Sequence, residues 1–598
     1  MRVSSSPFYP SIFSQNIHAN SSPPSAASSS HPAFSPYSHQ AFSQAHARHV
    51  PVFLIIGDVR QLPLDDPSLS MHLRERTVPV SLLPGERPDV ELLCQRAGML
   101  FSQEGALPLC ALLLHDTRPF LAAPLPPEGF PVDPARLSAW LFHADRRFSQ
   151  NESSFVAQAN QVIRSFRTQP LKKTYSPKDA AHDLSRALSS VYDSVNQGFG
   201  RIKFPFVCAL RFLQHEAVRG DKVSHRMLSG TLDAMLSSPL FDPVDSAFFR
   251  TTLTEDWRVF VPEKPLGVNA ILALCLLESG RRSEAVRLLD FITDAFVLSG
   301  GGLSPFLQAQ KETFSFTPDQ VCAALGNEDG IRACRLLSLL HQHAPEEPVI
   351  TPSRFSPPQP EHTGRRLSMD LPARYPTFPS SCTPEDAAFL RRILPLLKRA
   401  RSARNPQEPA SFILTEHCAL AAAVLAICGK KLGEPRYTQA AQRAVSFLIS
   451  QPPAASGFSA LPASLAPVSV IQAQATCGAA SALALAQLTL GQGEGMEEYA
   501  ASGLRLLGSA LHAFVRRDGM VMHTPEDPAA FFPRVPALFD NELPSPAALL
   551  VHALRLAHNL RPQAGYADAA QTIWTASAPA VYAQPLSCAG LIDAMTEK

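Results

Sequence analysis

The sequence contains no closely spaced pair of cysteines. Its eleven cysteines lie at positions 94, 110, 208, 275, 322, 334, 382, 418, 428, 477 and 588, several of them within apolar helical patterns. Disulfide frameworks and tetrahedral zinc sites both require cysteines at short, regular spacings. We therefore expect reduced, buried thiols and no metal site. The glycine run at 300–302 lacks the Lys-Ser/Thr of a phosphate-binding loop, and no cofactor is expected.

An excess of charge of either sign is also missing. The chain has 53 lysines and arginines against 52 aspartates and glutamates, for a net charge of +1. Nucleic acids and membrane surfaces attract clusters of basic residues, so neither is an expected partner. No apolar run approaches the roughly 20 residues of a membrane span, and no compact hydrophobic signal stands at the start. We expect a soluble, cytoplasmic protein.

Acidic residues are absent before Asp58, and residues 1–47 consist mainly of Ser, Pro, His and Ala. Such a segment buries too little apolar surface to offset the entropy lost on ordering, which predicts a disordered Ser/Pro-rich arm. A transit peptide is the alternative interpretation, because these peptides are rich in Ser and poor in acidic residues. Against it, Arg2 and Arg48 are the only arginines in the first 50 residues.

Residues 48–150 alternate short β-rich runs with a helical stretch. The runs at 52–56 and 77–83 have the composition of strands, and 88–101 has the apolar spacing of a helix. Residues 109–114 and 120–123 flank a turn and predict a β-hairpin. The pattern indicates an α/β domain.

Strand patterns nearly disappear after residue 150, where apolar helices recur in pairs. The predicted pairs are 270–277 with 283–296, 419–427 with 437–449, 479–490 with 496–514, and 547–556 with 566–574. Repeated helical hairpins are typical of a solenoid or a closed toroid. The irregular spacing of the pairs favours a toroid whose loops decorate one end. Residues 345–384 are rich in proline and predict an insertion within this domain.

Several short motifs occur in a shared order with those of a known family. They are GERPD at 85–89, the segment 105–120, GFG at 198–200 with KFP at 203–205, EDW at 255–257 with Glu263, Lys264 and Asn269, and FD at 539–540 with Pro544 and Ser545. In these motifs the chain resembles the thioredoxin-like plus six-hairpin family of spermatogenesis-associated protein 20 and its bacterial relatives. The resemblance implies a thioredoxin-like domain at 48–150 and an (α/α)6 toroid, the six-hairpin glycosidase-like fold, at 151–598.

The chain departs from this family where redox chemistry would occur. The family's first strand leads into a Cys-x-x-Cys motif, whose positions correspond here to Gln61 and Leu64. Thiol-disulfide exchange requires a sulfur with a lowered pKa, which neither residue has. Pro108 matches the family proline that, by resemblance to thioredoxins, is cis and faces the former redox site. We expect a domain that keeps the surface around Pro108 but does not catalyse thiol-disulfide exchange.

Polar groups of the toroid are also depleted relative to the family, although Glu263, Lys264, Asn269, Asp540 and Ser545 remain. Glu263 and Asp540 are the first candidates for an acid/base pair, since glycosyl chemistry and epimerisation both use two such groups. The structural alternatives are that Glu263 forms a local ion pair with Lys264 or caps a helix, and that Asp540 caps the helix that begins near Pro544.

Two further candidates are aromatic or imidazole side chains. Trp257 is either a platform for a sugar ring or a core anchor, and its large buried area favours the anchor. His417 follows Glu416, and the two are candidates for acid/base work, although a base must be oriented by a third group. The alternative is that His417 is a structural or solvated histidine.

Two functions remain open from the sequence. The first is a redox-inactive pseudoenzyme that binds a carbohydrate-like molecule or a peptide, or acts as a scaffold, through the toroid funnel. The second is a sugar isomerase, epimerase or glycoside-processing enzyme. An enzyme requires two titratable groups within about 10 Å of each other in the funnel. A thiol oxidoreductase is excluded unless an isolated thiol such as Cys110 is exposed and activated.

Overall fold

The computed structural model describes residues 33–103, 105–126, 132–166, 170–171, 173–200, 202–339, 374–378, 383–451, 464–465, 475–526 and 534–597. These residues form two compact units, one ending at residue 166 and the other beginning at residue 170. The Pro-rich segment predicted at 345–384 lies largely outside the described residues, as do residues 1–32. None of the described helices has the length and apolar character that crossing a bilayer requires.

The first unit has the thioredoxin-like fold. Its elements in chain order are β1 (Ser35–Pro36), α1 (His39–Arg48), β2 (Val52–Ile56), α2 (Pro67–Arg76), β3 (Val78–Leu82), α3 (Pro88–Phe101), β4 (Leu109–Leu113), β5 (Pro119–Pro124), α4 (Pro134–Gln150) and α5 (Glu152–Arg164). The sheet order is β1-β3-β2-β4-β5, in which β3 is parallel to both β1 and β2. Strand β4 is antiparallel to β2 and β5, which confirms the predicted hairpin. All five residues of β2 and of β4 are buried, as expected of central strands covered on both faces.

Two boundaries differ from the sequence-based expectation. The predicted disordered arm is wrong from residue 33 onward, because β1 pairs with β3 and α1 buries Ala41, Phe42 and Ala45. The arm's last residues thus supply the first strand and helix of the fold. The expected boundary at residue 150 is also too early, because α5 packs against β5 and α3. Its buried Phe155 belongs to the same hydrophobic core as Phe53 of β2.

The second unit is helical, with short strands in its connections. Its helices are α6 (Pro177–Val191), α7 (Val207–Val218), α8 (Lys222–Ser237), α9 (Leu266–Glu278), α10 (Arg282–Ala295), α11 (Pro318–Leu325), α12 (Asn327–Leu336), α13 (Pro384–Arg404), α14 (Thr415–Leu432), α15 (Pro435–Ile449), α16 (Cys477–Leu490), α17 (Glu497–Phe514), α18 (Pro546–Leu560), α19 (Tyr566–Ala583) and α20 (Ala589–Thr596). Its strands are β6 (Phe241–Asp242), β7 (Ala247–Phe248), β8 (Glu263–Pro265), β9 (Phe306–Gln308), β10 (Glu408–Pro409), β11 (Ile413–Leu414) and β12 (Ser464–Leu465).

Six of these helices form a closed ring. Around it, α7 contacts α9, α9 contacts α14, α14 contacts α16, α16 contacts α18, α18 contacts α20, and α20 contacts α7. An outer helix packs on each inner one: α8 on α7, α10 on α9, α15 on α14, α17 on α16, α19 on α18 and α6 on α20. The described residues therefore confirm the predicted (α/α)6 toroid.

Burial distinguishes the inner helices from the outer ones. Every residue of α9 from Leu266 to Leu276 is buried, and α16 is nearly as completely covered. By contrast, α10 buries only a stripe that includes Ala285, Leu288 and Leu289. A helix that is apolar all round is a buried helix, whereas an amphipathic one lies at a surface. The pairs predicted from the sequence thus consist of an inner and an outer helix each.

Candidate functional site

The degenerate redox position lies beside the predicted cis-proline. The Leu107–Pro108 peptide bond is cis. A Cβ atom added to Gly57, directly after β2, would lie 2.8 Å from Pro108 Cβ and 3.4 Å from Gln61 Oε1. Gln61 Oε1 is buried and has no hydrogen-bond partner among the described residues. Leu64 packs against the hydrophobic core of the unit. The surface around Pro108 is therefore present, with an amide where a thiol would be needed.

The two cysteines of this unit are not positioned for redox chemistry. Cys94 and Cys110 are both fully buried. Burial, with Glu91 and Asp89 nearby, raises the pKa of the Cys94 thiol far above its usual value. Burial raises the pKa of Cys110 to about 12, and its Sγ lies 3.6 Å from the carbonyl oxygen of Ala123. A thiol must ionise and be accessible to act as a nucleophile. Cys110 is thus not the exposed, activated thiol that an oxidoreductase would need.

In the toroid, the inner helices begin at a common end. Neighbouring inner helices meet start to start, as at Glu416 and Gly478 of α14 and α16 and through Asp540 at α18 and α20. They also meet end to end, as at Lys431 and Glu278 of α14 and α9 and at His215 and Asp593 of α7 and α20, so the six inner helices run in the same direction. The connections that lead into them are mostly long, as at 192–206, 238–265, 450–476 and 515–545. The connections that leave them are short, as at 219–221, 279–281 and 433–434. We call the end where the inner helices begin the decorated end. The toroid candidates from the sequence all belong to segments at or leading to this end.

Trp257 is a core anchor in the structure. Only 3% of its surface is exposed, and its Nε1 donates a hydrogen bond to the carbonyl oxygen of Asn196 at 2.9 Å. A Cβ on Gly198 would lie 2.6 Å from the indole ring, so the glycine makes room for it. The GFG and EDW motifs thus pack against each other. The ring face is not presented to a ligand.

Lys264 and Asn269 also serve the packing of the toroid. The Lys264 Nζ atom is fully buried and lies 2.6 Å from Asp242 Oδ2 and 2.5 Å from Asp245 Oδ2. Arg401 of α13 contacts the same two carboxylates at 3.0 and 2.6 Å. Asn269 is buried and exchanges hydrogen bonds with the backbone of Phe248. Buried charges need such partners, and the partners leave no atom for a ligand.

Glu263 is held by an arginine that sequence reasoning missed. Arg250 Nε donates to Glu263 Oε1 at 2.8 Å, and its backbone N–H donates to the Glu263 carbonyl at the same distance. A second carboxylate, Glu542, pairs with the same guanidinium. The expected local ion pair between Glu263 and Lys264 is wrong, because Glu263 pairs with Arg250 while Lys264 pairs with Asp242 and Asp245. No sequence motif marked Arg250, because its partners lie 13 and 292 residues further along the chain.

Asp540 joins the starts of two inner helices. Its Oδ1 accepts a hydrogen bond from the Ser545 backbone N–H at 2.8 Å, and its Oδ2 accepts one from the Gly590 N–H at 2.7 Å. Ser545 caps α18 by accepting from the Ala548 N–H. Burial raises the pKa of Asp540 to about 7, although the two backbone donors act in the opposite direction. Both residues act as helix caps, and Asp540 and Glu263 do not form a shared acid/base pair through any hydrogen bond in the structure.

Glu416 and His417 differ from the other candidates in their contacts. They lie in the first turn of α14, and neither makes a hydrogen bond or ion pair with another described residue. Burial raises the pKa of Glu416 to about 7. Burial, with the positive charge of Arg250, lowers the pKa of His417 to about 3. His417 Nδ1 is buried without a hydrogen-bond partner in the described part of the chain.

The surroundings of Glu416 are defined by a neighbouring helix. A Cβ on Gly478, the second residue of α16, would lie only 1.9 Å from Glu416 Oε2. The carboxyl group therefore lies directly over the start of α16, where only glycine leaves it room. Both side chains keep part of their surface accessible. The decorated end thus has a neutral imidazole next to a carboxyl group whose pKa is close to neutral pH.

A family model matches part of the chain. The Thioredox_DsbH model, described as a protein of unknown function, DUF255, matches residues 15–167. The matched segment coincides with the thioredoxin-like unit and includes β1 and α1. It agrees with the architecture of that unit and assigns no activity.

One curated relative is similar over a limited region. The chain is 25% identical to "Uncharacterized protein B0495.5" of Caenorhabditis elegans over 255 residues, which is 37% of this chain and 33% of the relative. The chain thus spans about a third of the length of the curated relative that it matches.

Several solved structures superpose on most of the chain at low identity. D-mannose isomerase gives a TM-score of 0.41 at 9% identity, covering 69% of this chain and 88% of that one. Cellobiose 2-epimerase of Spirochaeta thermophila DSM 6192 gives 0.39 at 15%, covering 67% and 86%. A GH76 α-mannanase of Bacteroides thetaiotaomicron gives 0.42 at 8%, covering 70% and 94%. The toroid assignment depends on the helix contacts of this chain and not on these scores.

Proposed function

We propose that this protein binds a carbohydrate-like ligand at the decorated end of its toroid, beside Glu416 and His417, and that its thioredoxin-like unit performs no thiol-disulfide exchange. The observation that supports the binding site is that neither side chain has a hydrogen-bond partner among the described residues, and that His417 Nδ1 is buried there. Buried polar groups in proteins are nearly always hydrogen-bonded. A ligand with several hydroxyl groups would satisfy both residues, since hydroxyls donate and accept.

The charge state of the site favours a neutral polar ligand. With a pKa of about 7, Glu416 is protonated in a large fraction of molecules at neutral pH and can both donate and accept. His417 is neutral there, so one of its ring nitrogens accepts while the other donates. Arg250 is already engaged by Glu263 and Glu542 and is not free to bind an anion. A peptide segment is the alternative ligand.

The absence of redox function is supported by the first unit. Gln61 occupies the position next to Pro108, and the unit's two cysteines are buried with raised pKa values. A wild-type protein that reduces insulin disulfides above the uncatalysed rate would contradict this part of the proposal.

Thermal unfolding with a panel of monosaccharides, sugar phosphates and short peptides tests the binding proposal. A ligand that binds only the native state raises the Tm. We expect one neutral carbohydrate class to raise the Tm of the wild type and of Glu498→Gln, a control at an exposed glutamate of α17. The same sugar should leave the Tm of Glu416→Ala and His417→Ala unchanged. A panel without any shift, or a shift that persists in both alanine variants, would overturn the proposal.

A second candidate function is a sugar isomerase or epimerase. The specific observation in its favour is that burial shifts the pKa values of Glu416 and His417 in opposite directions in adjacent positions. Such divergent environments are typical of acid/base pairs. Incubation with aldoses in D2O, followed by NMR, would detect deuterium at C2 if the pair removes that proton. Exchange by the wild type and its loss in Glu416→Gln would favour this function over simple binding.

A further inference from the structure

The inner helices end in a cluster of charged side chains, which we call the far end of the ring. It is built from the ends of α7, α9, α14, α18 and α20. Its members are Arg211, His215, Arg219, Glu278, Lys431, His552, Arg555, Asp593 and Glu597. None of these residues belongs to the site at the decorated end.

One segment of the chain crosses this cluster. Residues 594–597, which we call the strap, comprise the end of α20 and the residue after it. Arg555 of α18 donates hydrogen bonds to the carbonyl oxygens of Ala594 and Glu597. Arg219, which follows α7, donates to the carbonyl oxygen of Thr596. The strap is therefore bound to both helices that flank α20 in the ring.

The side chain of Glu597, like the backbone of the strap, lies close to residues of both α7 and α18. Its Oε2 lies 3.3 Å from His552 Nδ1 on α18, and its Oε1 lies 3.4 Å from His215 Nε2 on α7. Burial alone would raise the pKa of Glu597, but the contact with His552 and the charge of Arg211 hold it well below its usual range. The carboxylate is thus charged in the folded protein and is attracted by His552 on α18 and by Arg211 on α7.

His215 has a defined tautomer that fits this role. Its Nδ1 lies 2.6 Å from Asp593 Oδ1 and donates to that carboxylate. Its Nε2 lies 3.1 Å from Arg211 Nη2, which can only donate, so Nε2 is an acceptor. His215 thus connects Asp593 of α20 with Arg211 of α7. His552 provides the closer imidazole contact to Glu597.

The apolar contacts of α20 are small for a helix that closes a ring. Its buried residues are Ala589, Gly590, Leu591, Ile592, Asp593 and Ala594, of which only two have large apolar side chains. The burial of small residues contributes little free energy. Polar contacts at the end of α20 therefore contribute a larger fraction of the free energy that holds this helix in the ring than polar contacts do for α9 or α16.

We propose that the strap is a conformational latch: the Glu597 carboxylate holds α20 between α7 and α18, and its release opens the ring locally at α20. Local opening of the least stabilised element is a common property of folded proteins. The latch acts on ring closure and is independent of the ligand proposed for the decorated end.

Hydrogen exchange of the full chain tests the latch. Glu597→Gln removes the charge and keeps the shape, and Glu498→Gln on α17 is the matched control. We expect the amides of α20 to exchange about fivefold faster in Glu597→Gln, as for the loss of a partly exposed charge contact. The amides of α14 and the control variant should be unchanged. Equal exchange of α20 in Glu597→Gln and the control would overturn the proposal.

A second variant separates the latch from general destabilisation. His552→Gln should accelerate α20 exchange in the same way as Glu597→Gln. The double variant should exchange no faster than either single variant, because both remove the same contact. If the two effects multiply instead, the residues do not act through one latch and the proposal is wrong.

Discussion

At the scale of single residues, burial explains why most sequence candidates are structural. Lys264, Asn269, Asp540 and Ser545 have their polar atoms committed to other groups of the fold. Glu416 and His417 differ because burial has moved their pKa values while no described residue forms a hydrogen bond with either side chain. Strongly shifted pKa values are concentrated at functional sites.

The first prediction concerns the pH dependence of stability. The pKa of Glu416 is about 7 in the folded protein and about 4.5 when exposed, so the folded state binds more protons between these values. Its contribution is therefore fully present below pH 4.5 and is lost as pH rises through about 7. Glu416→Gln should be more stable than the wild type at pH 8 by up to roughly 3 kcal/mol and no more stable at pH 4.5.

Urea unfolding of both proteins at the two pH values provides the measurement. Other titrating groups cancel in the difference between variant and wild type. A difference that is the same at both pH values would contradict the assigned environment of Glu416.

The second prediction concerns Gly478. In Gly478→Ala the new methyl group meets the Glu416 carboxyl group and must displace it, which should cost about 1 kcal/mol. In a Glu416→Ala background the same change should instead stabilise by about 0.5 to 1 kcal/mol, because alanine favours a helix. Gly508→Ala, at an open position in α17, is the control and should stabilise both backgrounds. If Gly478→Ala has the same effect with and without Glu416, the two residues are not in contact.

At the scale of secondary-structure elements, patterning predicted much of the fold. The predictions for β2 and α3 match the structure residue for residue, and the four predicted helix pairs are present. Helix α1 was missed because only Ala41, Phe42 and Ala45 of its polar sequence are buried. The ion pairs of Arg250 and Arg401 could not be predicted, because their partners are distant in sequence and share no periodic pattern with them.

The third prediction tests whether α1 is an integral part of the thioredoxin-like unit. Phe42 is 2% exposed, and truncation to alanine should cost about 3 kcal/mol. Phe142 on α4 is 56% exposed, and the same truncation there should change stability by less than about 0.5 kcal/mol. Chemical denaturation of both variants gives the comparison. If both variants lose little stability, residues 33–48 are not an integral part of the unit.

At the scale of the whole molecule, the burial of the cysteines shows how closely both units are packed. Ten free cysteines are described, and nine of them are buried, whereas Cys322 is partly accessible. Cys382 lies outside the described residues. Buried thiols with raised pKa values react slowly with thiol reagents.

The fourth prediction follows from this distribution. Brief alkylation of the native protein with iodoacetamide, read by peptide mass spectrometry, should modify Cys322 before any other described cysteine. In urea all eleven cysteines should react. Rapid native labelling of Cys94 or Cys110 would contradict the buried, redox-inactive arrangement of the first unit.

The most direct test of the proposed function is calorimetric titration of the carbohydrate selected by thermal unfolding into the wild type, Glu416→Ala and Glu498→Gln. Loss of the hydrogen bond to the Glu416 carboxyl group should weaken binding about tenfold in Glu416→Ala, whereas the control should bind as tightly as the wild type. Equal affinity of all three proteins, or no binding to any, would contradict a ligand site at the decorated end.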